Sequence, residues 1–316
     1  MRAFTVTAPG GPEALTAADV EEPAPGPGQV RVRVAAAAVN PVDAATRSGA
    51  LADAGLMAGS SADRPVGIGW DVAGVVDAVG TGVTRLTPGD RVIGLQDRLD
   101  APLGTYADAV VLDVDAVTRA PRTIDDVHAA TLPLNGLTAL QALDLLDLPP
   151  GGTLLVTGAA GAVGGYAVEL AAERGLRVVA TASADDETLV RDLGAELFVP
   201  RGAHLGDAVR ALVPGGVDGA VDAALLAAAA LDTVRRGGTF VAVNGGPAVP
   251  LPLRGIRVHN VWIRADAAQL AQLTALVDAG RLTTRVAATL PLAEAVEAHV
   301  RLESGAPLRG RLVLVP

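Results

Sequence analysis

The stretch Gly151–Gly165, GGTLLVTGAAGAVGG, constrains the fold more than any other part of the chain. Leu154, Leu155 and Val156 form a short apolar run. A glycine-rich turn follows at once: Gly158, Ala159, Ala160, Gly161, Ala162, Val163, Gly164. Val163, Ala167, Leu170 and Ala171 then recur at helical spacing. Strand, tight turn and helix in that order seat a pyrophosphate on a helix N-terminus, where unpaired N–H groups and the helix dipole favour an anion. In the G-x-G-x-x-G frame the first position is Ala159, with Gly161 and Gly164 in place. Alanine fits there if the turn needs no positive φ at that residue. A bare glycine turn without a ligand is the competing reading.

The surrounding pattern supports the nucleotide reading. From Thr153 to Arg264 strand candidates alternate with helical patterns. The strands are Thr153–Thr157, Arg177–Ala182, Leu197–Val199, Val217–Asp222, Thr239–Val243 and Val258–Arg264. The helices are Val163–Arg174, Asp186–Leu193, Asp207–Leu212 and Leu225–Arg236. This alternation predicts a doubly wound parallel sheet, an α/β fold. Residues 1–120 read differently, as short strands separated by glycine turns: Arg2–Thr7, Gln29–Ala35, Val72–Val79 and Arg91–Leu95. They predict a small, partly open barrel, with 50–65 as a loop. Helical patterns return at 265–280 and 292–303, and a strand at Arg311–Val315.

Composition removes whole classes of chemistry. The 316 residues include no cysteine, so disulfides, thiolate metal sites and a cysteine nucleophile are excluded. Every one of the 25 basic residues is arginine, which excludes Schiff-base catalysis and a P-loop lysine. A net charge of −10 with scattered arginines argues against a nucleic-acid partner. No apolar run reaches the roughly 18 residues of a membrane span. The start, MRAFTVTAPGG, has no apolar export segment, so a cytoplasmic location is expected.

Cofactor choice is read at the end of the second strand of such a sheet, where NAD enzymes place a carboxylate. Here Ala182 occupies that place and Ser183 follows. A small residue leaves room for a 2′-phosphate and a serine hydroxyl can bond it, so NADPH is expected over NADH. Ser183 also suits a helix N-cap before Asp185–Glu187. The nearest basic partners are Arg191 and Arg201, and Arg191 is the expected one.

Several blocks taken together resemble the medium-chain dehydrogenase/reductase superfamily, in its zinc-free quinone oxidoreductase (zeta-crystallin-like) branch. They include Val39-Asn-Pro-Val-Asp43, Gly69-Trp-Asp-Val-Ala-Gly-Val-Val76, Pro88-Gly-Asp-Arg-Val92, Gly104-Thr-Tyr-Ala107, Leu132-Pro-Leu-Asn-Gly-Leu-Thr-Ala139, the glycine turn, Leu193-Gly-Ala195, Arg235-Arg-Gly-Gly-Thr-Phe-Val241 and Gly310-Arg-Leu-Val-Leu314. The resemblance implies a GroES-like catalytic domain, 1–120 with 265–316, into which a Rossmann domain, 121–264, is inserted. It implies zinc-independent hydride transfer from NADPH to a quinone or an α,β-unsaturated carbonyl. Zinc-dependent relatives carry a histidine where this chain has Trp70. Asn40 and Asp43 are the implied catalytic residues at the mouth of the cleft. Thr138 is implied to approach the nicotinamide, and Val243 and Asn244 to border the cofactor. By plain helix chemistry, Asn40 is equally an N-cap before Pro41, and Asp43 and Arg47 an i, i+4 surface pair. Two departures stand out. The tyrosines that face the nicotinamide in relatives are replaced here by Ala45 and Leu51. The Asp-x-x-Gly-Gly after the fourth Rossmann strand becomes Asp222-Ala-Ala-Leu-Leu-Ala. The lost tyrosines motivate one alternative, an enoyl or ketone reductase dedicated to one biosynthetic intermediate, and the resemblance itself leaves a second, a non-catalytic NADPH-binding or structural protein. The resemblance also implies a homodimer paired through Val258–Ile263.

Overall fold

A computed structural model describes residues 1–99, 101–243 and 249–316. Two compact units emerge, 1–134 with 264–280 and 284–316, and 135–263 with 281–283.

The first unit begins with β1 (Arg2–Val6), β2 (Thr16–Asp19), β3 (Gln29–Val39), α1 (Pro41–Ser48), α2 (Ala50–Asp53), β4 (Val66–Gly67), β5 (Asp71–Val79), β6 (Arg91–Leu95), β7 (Ala109–Asp113), β8 (Val117–Arg119), α3 (Asp126–Ala129) and the first residues of α4 (Pro133–Leu146). Its organising strand is β3. It pairs antiparallel with β5, with β7 near its start (Gln29↔Asp113) and with the C-terminal strand at its end (Leu312↔Val39). Pairing with three partners wraps the sheet into the partly open barrel that the glycine-punctuated strands predict. β3 runs on past Ala35 because Ala36–Val39 are all buried, so its polar/apolar alternation stops while the strand continues. The 50–65 stretch is not all loop, since α2 starts it.

The first unit also extends past the expected boundary at 120. Arg91 binds the carbonyls of Pro121 and Ile124 and the Asp126 carboxylate, tying this segment to β6.

The second unit takes up the rest of α4, then β9 (Thr153–Thr157), α5 (Ala162–Glu173), β10 (Arg177–Ala182), α6 (Glu187–Asp192), β11 (Leu197–Pro200), α7 (Leu205–Leu212), β12 (Val217–Asp222), α8 (Ala228–Asp232), β13 (Val234–Ala242) and β14 (Arg257–Asn260). Among the described residues these strands form a six-stranded parallel sheet ordered β11-β10-β9-β12-β13-β14. Strand order reverses between β9 and β12, the switch point of a doubly wound sheet. Leu155, Val179, Ala220 and Phe240 centre its core.

Two expectations are corrected here. The helix predicted over Leu225–Arg236 shrinks to Ala228–Asp232. Leu225 (φ 56°) and Ala227 (φ 48°) break it before it starts, and Val234 is drawn into pairing with Val217. The edge strand β14 ends at Asn260 rather than Arg264. The chain closes in the first unit with α9 (Ala267–Asp278), β15 (Val286–Pro291), α10 (Ala295–Glu303) and β16 (Arg311–Val315). No described helix is long and apolar enough to cross a membrane.

Candidate functional site

The glycine turn sits at the carboxyl end of β9, at the switch point. Gly158 takes φ +61°, the one left-handed residue of the turn, and Ala159 does not. This is why alanine stands at the first fingerprint position without strain. The Ala159 N–H donates to the Thr181 carbonyl, joining the turn to β10. Gly161 is the N-cap of α5. As a glycine it supplies no side-chain cap of its own, and no acidic residue lies in the first turn of the helix. The half-buried Gly161, Ala162 and Val163 therefore meet an electropositive helix end that suits a phosphate. A Cβ on Gly164 would lie 2.7 Å from the Gly158 carbonyl carbon and 2.9 Å from Ala159 Cα, so only glycine lets α5 pack this closely under the turn.

The neighbouring strand ends complete this rim. Ala182 ends β10 buried, and Ser183 follows at an N-cap position without a side-chain cap bond. The Arg191 guanidinium is bonded to Glu187 and to the Glu196 carbonyl. Arg201 is better placed: its N–H donates to the Ala182 carbonyl at 2.7 Å, and its exposed side chain has no partner among the described residues. Val243 lies just beyond β13, its N–H directed at the Asp222 carbonyl. Asn244 falls outside the described residues. Thr138 is buried on α4. The turn residues 158–164, Ser183 and Val243 thus share the carboxyl edge of one sheet.

Asn40 and Asp43 belong to the first unit and are not open to an incoming molecule. Both have no exposed surface. Asn40 is the residue before α1, with Pro41 first in the helix, as helix chemistry predicts. Its N–H donates to Asp43 Oδ2 at 2.7 Å, and its Nδ2 to Asp71 Oδ2 at 2.8 Å. Asp71 Oδ1 accepts the Leu134 N–H at 2.6 Å, and the Tyr106 hydroxyl donates to Asp43 Oδ2 at 3.2 Å. Asn40 and Asp43 thus belong to a buried network that fixes α1 and the start of α4. The expected Asp43–Arg47 surface pair is corrected, since Arg47 is buried and paired with Glu303. Asp71 and Tyr106 were not among the expected site residues. They are far in sequence from what they bind, and no local pattern announces them.

Burial governs the charges in this network. It pushes Asp43 up to about 8 against the Asn40 N–H and Tyr106 hydrogen bonds, with the Asp71 charge adding to the rise. It pushes Asp71 up to about 7 against its two hydrogen bonds. His299, edge-on to Tyr106 with ring centroids 5.9 Å apart, is pushed down to about 4 by burial and by the Arg47 charge. The signs oppose. The folded chain holds protons on the two carboxyls that the unfolded chain releases near 3.8, so their contribution is lost as pH rises through about 7 and 8. His299 costs stability as pH falls from 6.5 through about 4. Above pH 6.5 only the carboxyls act. The melting temperature, followed by circular dichroism, is expected to fall between pH 6.5 and pH 8, and the Asp71→Asn variant to flatten that fall.

Comparison with known proteins agrees with this architecture. The family described as alcohol dehydrogenase GroES-like domain matches residues 26–122, and that described as zinc-binding dehydrogenase matches 193–314. The NADPH-dependent alkenal/one oxidoreductase, chloroplastic, of Arabidopsis thaliana is 30% identical over 89% of this chain and 70% of its own length. The quinone oxidoreductase structure from Coxiella burnetii has a TM-score of 0.86 and 29% identity, covering 100% of this chain and 99% of that one. The pikromycin polyketide synthase component PikAII of Streptomyces venezuelae is 45% identical over 133 residues, 42% of this chain, and the match spans only 3% of that synthase. The chain has no cysteine, and among the described residues no group of three or more histidines and carboxylates could hold a metal. From its sequence blocks, its two units and these relatives, the chain belongs to the medium-chain dehydrogenase/reductase superfamily of oxidoreductases, whose members work with nicotinamide cofactors.

Proposed function

We propose that this chain is a zinc-independent reductase that uses NADPH to reduce a quinone or an α,β-unsaturated carbonyl. The observation that carries the reading is the Gly158 turn leading into α5 at the switch point of the sheet, with a glycine at the N-cap and no acidic residue in the first helical turn. When bound, the nicotinamide supplies the hydride. The chain's own residues bind and orient. The first-turn N–H groups of α5 hold the pyrophosphate. Ser183 and Arg201 take the 2′-phosphate. Asn40 and Asp43 do not deliver a proton, because both are buried and bonded inside the first unit. Charge developing on the acceptor oxygen is met by a main-chain N–H or water, and water supplies the proton.

The Arabidopsis alkenal/one and Coxiella quinone relatives support this substrate class. The 45% identity with a polyketide synthase segment favours a narrower version, a reductase dedicated to one biosynthetic intermediate. The test follows loss of reduced nicotinamide absorbance with a panel of quinones, simple enones and enoyl thioesters, before and after prolonged chelation. Turnover unchanged by the chelator is expected. Activity that disappears with chelation and returns with zinc contradicts the reading. A homodimer joined along β14, at the outer edge of the sheet beside the half-exposed Trp262, is part of the proposal.

A further inference from the structure

β9 and β12 are parallel neighbours at the switch point, in register from Leu154↔Gly219 to Thr157↔Asp222. A threonine of β9 meets an aspartate of β12 at each end of this pair. At the amino end, Thr153 donates through both N–H and Oγ1 to Asp218 Oδ2, at 2.7 Å each, and Arg235 pairs with the same carboxylate. At the carboxyl end, Thr157 Oγ1 donates to Asp222 Oδ1 at 2.6 Å and accepts the Ala224 N–H at 3.0 Å. Asp222 also accepts the N–H groups of Leu226 and Ala227, at 3.0 and 2.7 Å.

The carboxyl-end pair differs from its amino-end twin in what it organises. Thr157 and Asp222 are buried, and their bonds shape the loop 223–227. That loop holds Leu225 and Ala227 at positive φ, a conformation that side-chain-bearing residues rarely adopt. Asp222 bonds the backbone at this strained point. Gly158 follows Thr157 directly, and a Cβ there would lie 3.3 Å from both the Ala223 carbonyl oxygen and Ala224 Cβ. Turn and loop therefore touch, and the Thr157–Asp222 pair fixes both.

We propose that Thr157 and Asp222 are positioning residues for the dinucleotide: their hydrogen-bonded pair sets the spacing of the glycine turn and the 223–227 loop on either side of the switch point. The proposal rests on the cofactor reading above. Thr153–Asp218 joins the same two strands at the far end of the sheet and supplies an internal control.

The test compares Thr157→Val, Thr157→Ser and Thr153→Val. Each protein is titrated with NADPH by fluorescence well below its melting temperature, and each cofactor-free melt is recorded by circular dichroism. Thr157→Val is expected to raise the Kd for NADPH about tenfold, the scale of one lost hydrogen bond to a charged group. Thr157→Ser, which keeps the hydroxyl, is expected to restore binding. Thr153→Val is expected to lower the melting temperature and leave the Kd unchanged. If Thr157→Val does not fold, Asp222→Asn takes its place with the same expected weakening, because an amide cannot accept both loop N–H groups. Wild-type affinity in Thr157→Val, or equal weakening in Thr153→Val, overturns the proposal. A wild-type chain that binds neither NADPH nor NADH overturns the cofactor reading itself, and this proposal with it.

Discussion

Replacing Arg201 with alanine is expected to weaken NADPH binding by about ten- to a hundredfold, the equivalent of about 1.5–3 kcal/mol for a charge-assisted hydrogen bond. NADH binding is expected to stay unchanged, because NADH has no 2′-phosphate for the guanidinium to meet. The argument rests on placement and availability. The Arg201 backbone is hydrogen-bonded to Ala182, so the residue sits beside the strand end where the adenosine ribose is read. Its side chain is exposed and uncommitted among the described residues, whereas Arg191 is already held by Glu187 and the Glu196 carbonyl. Arg191→Ala is accordingly expected to leave the preference between the two dinucleotides intact. Fluorescence titration of both variants with both dinucleotides checks this. Equal losses for NADPH and NADH in Arg201→Ala would make the residue a structural one.

Gly164→Ala is expected to be the most damaging glycine-to-alanine change in the glycine turn. The added methyl would press on the Gly158 carbonyl and on Ala159 Cα, both backbone, so neither can swing aside. Relief requires α5 to move away from the turn, and its first-turn N–H groups move with it. Overpacking of this kind costs about 1–3 kcal/mol of stability. The loss in binding is expected to be larger, on the order of a hundredfold or more, because every phosphate contact shifts together. Gly161→Ala is the graded comparison. Its Cβ would have one close neighbour, the Gly158 oxygen at 3.1 Å, and a smaller effect on both melting and NADPH affinity is expected. Equal dinucleotide affinity in Gly164→Ala and wild type would remove the turn from the binding site.

The sheet carrying the site was largely legible from local pattern. Thr153–Thr157, Arg177–Ala182 and Val217–Asp222 are apolar runs bounded by glycine or charge, and the strands have those limits. Legibility failed where tertiary burial or pairing overrode local period. Ala36–Val39 gave no alternation because both faces are covered. The alanines and leucines after Asp222 read as helix, yet two of them are held at positive φ beside the Asp222 bonds. The polar site residues were the least legible. Asn40 and Asp43 announced a helix start correctly, but their burial depends on Asp71 and Tyr106, which are 31 and 63 residues away from them. Thr157 and Asp222 stand 65 residues apart and meet only once β9 and β12 pair. Local propensity carries no trace of contacts at that range.

The central claim is hydride transfer from NADPH to carbon or quinone in a site without metal. The most direct measurement uses metal-depleted protein, NADPH carrying deuterium at the transferable nicotinamide position, and an enone or enoyl thioester that the protein turns over. Mass spectrometry and NMR then locate the label in the product. The expected result is one deuterium at the β-carbon for each NADPH oxidised, with the α-proton drawn from water. Tight NADPH binding with no labelled product from any enone, and no quinone reduced, would contradict the account.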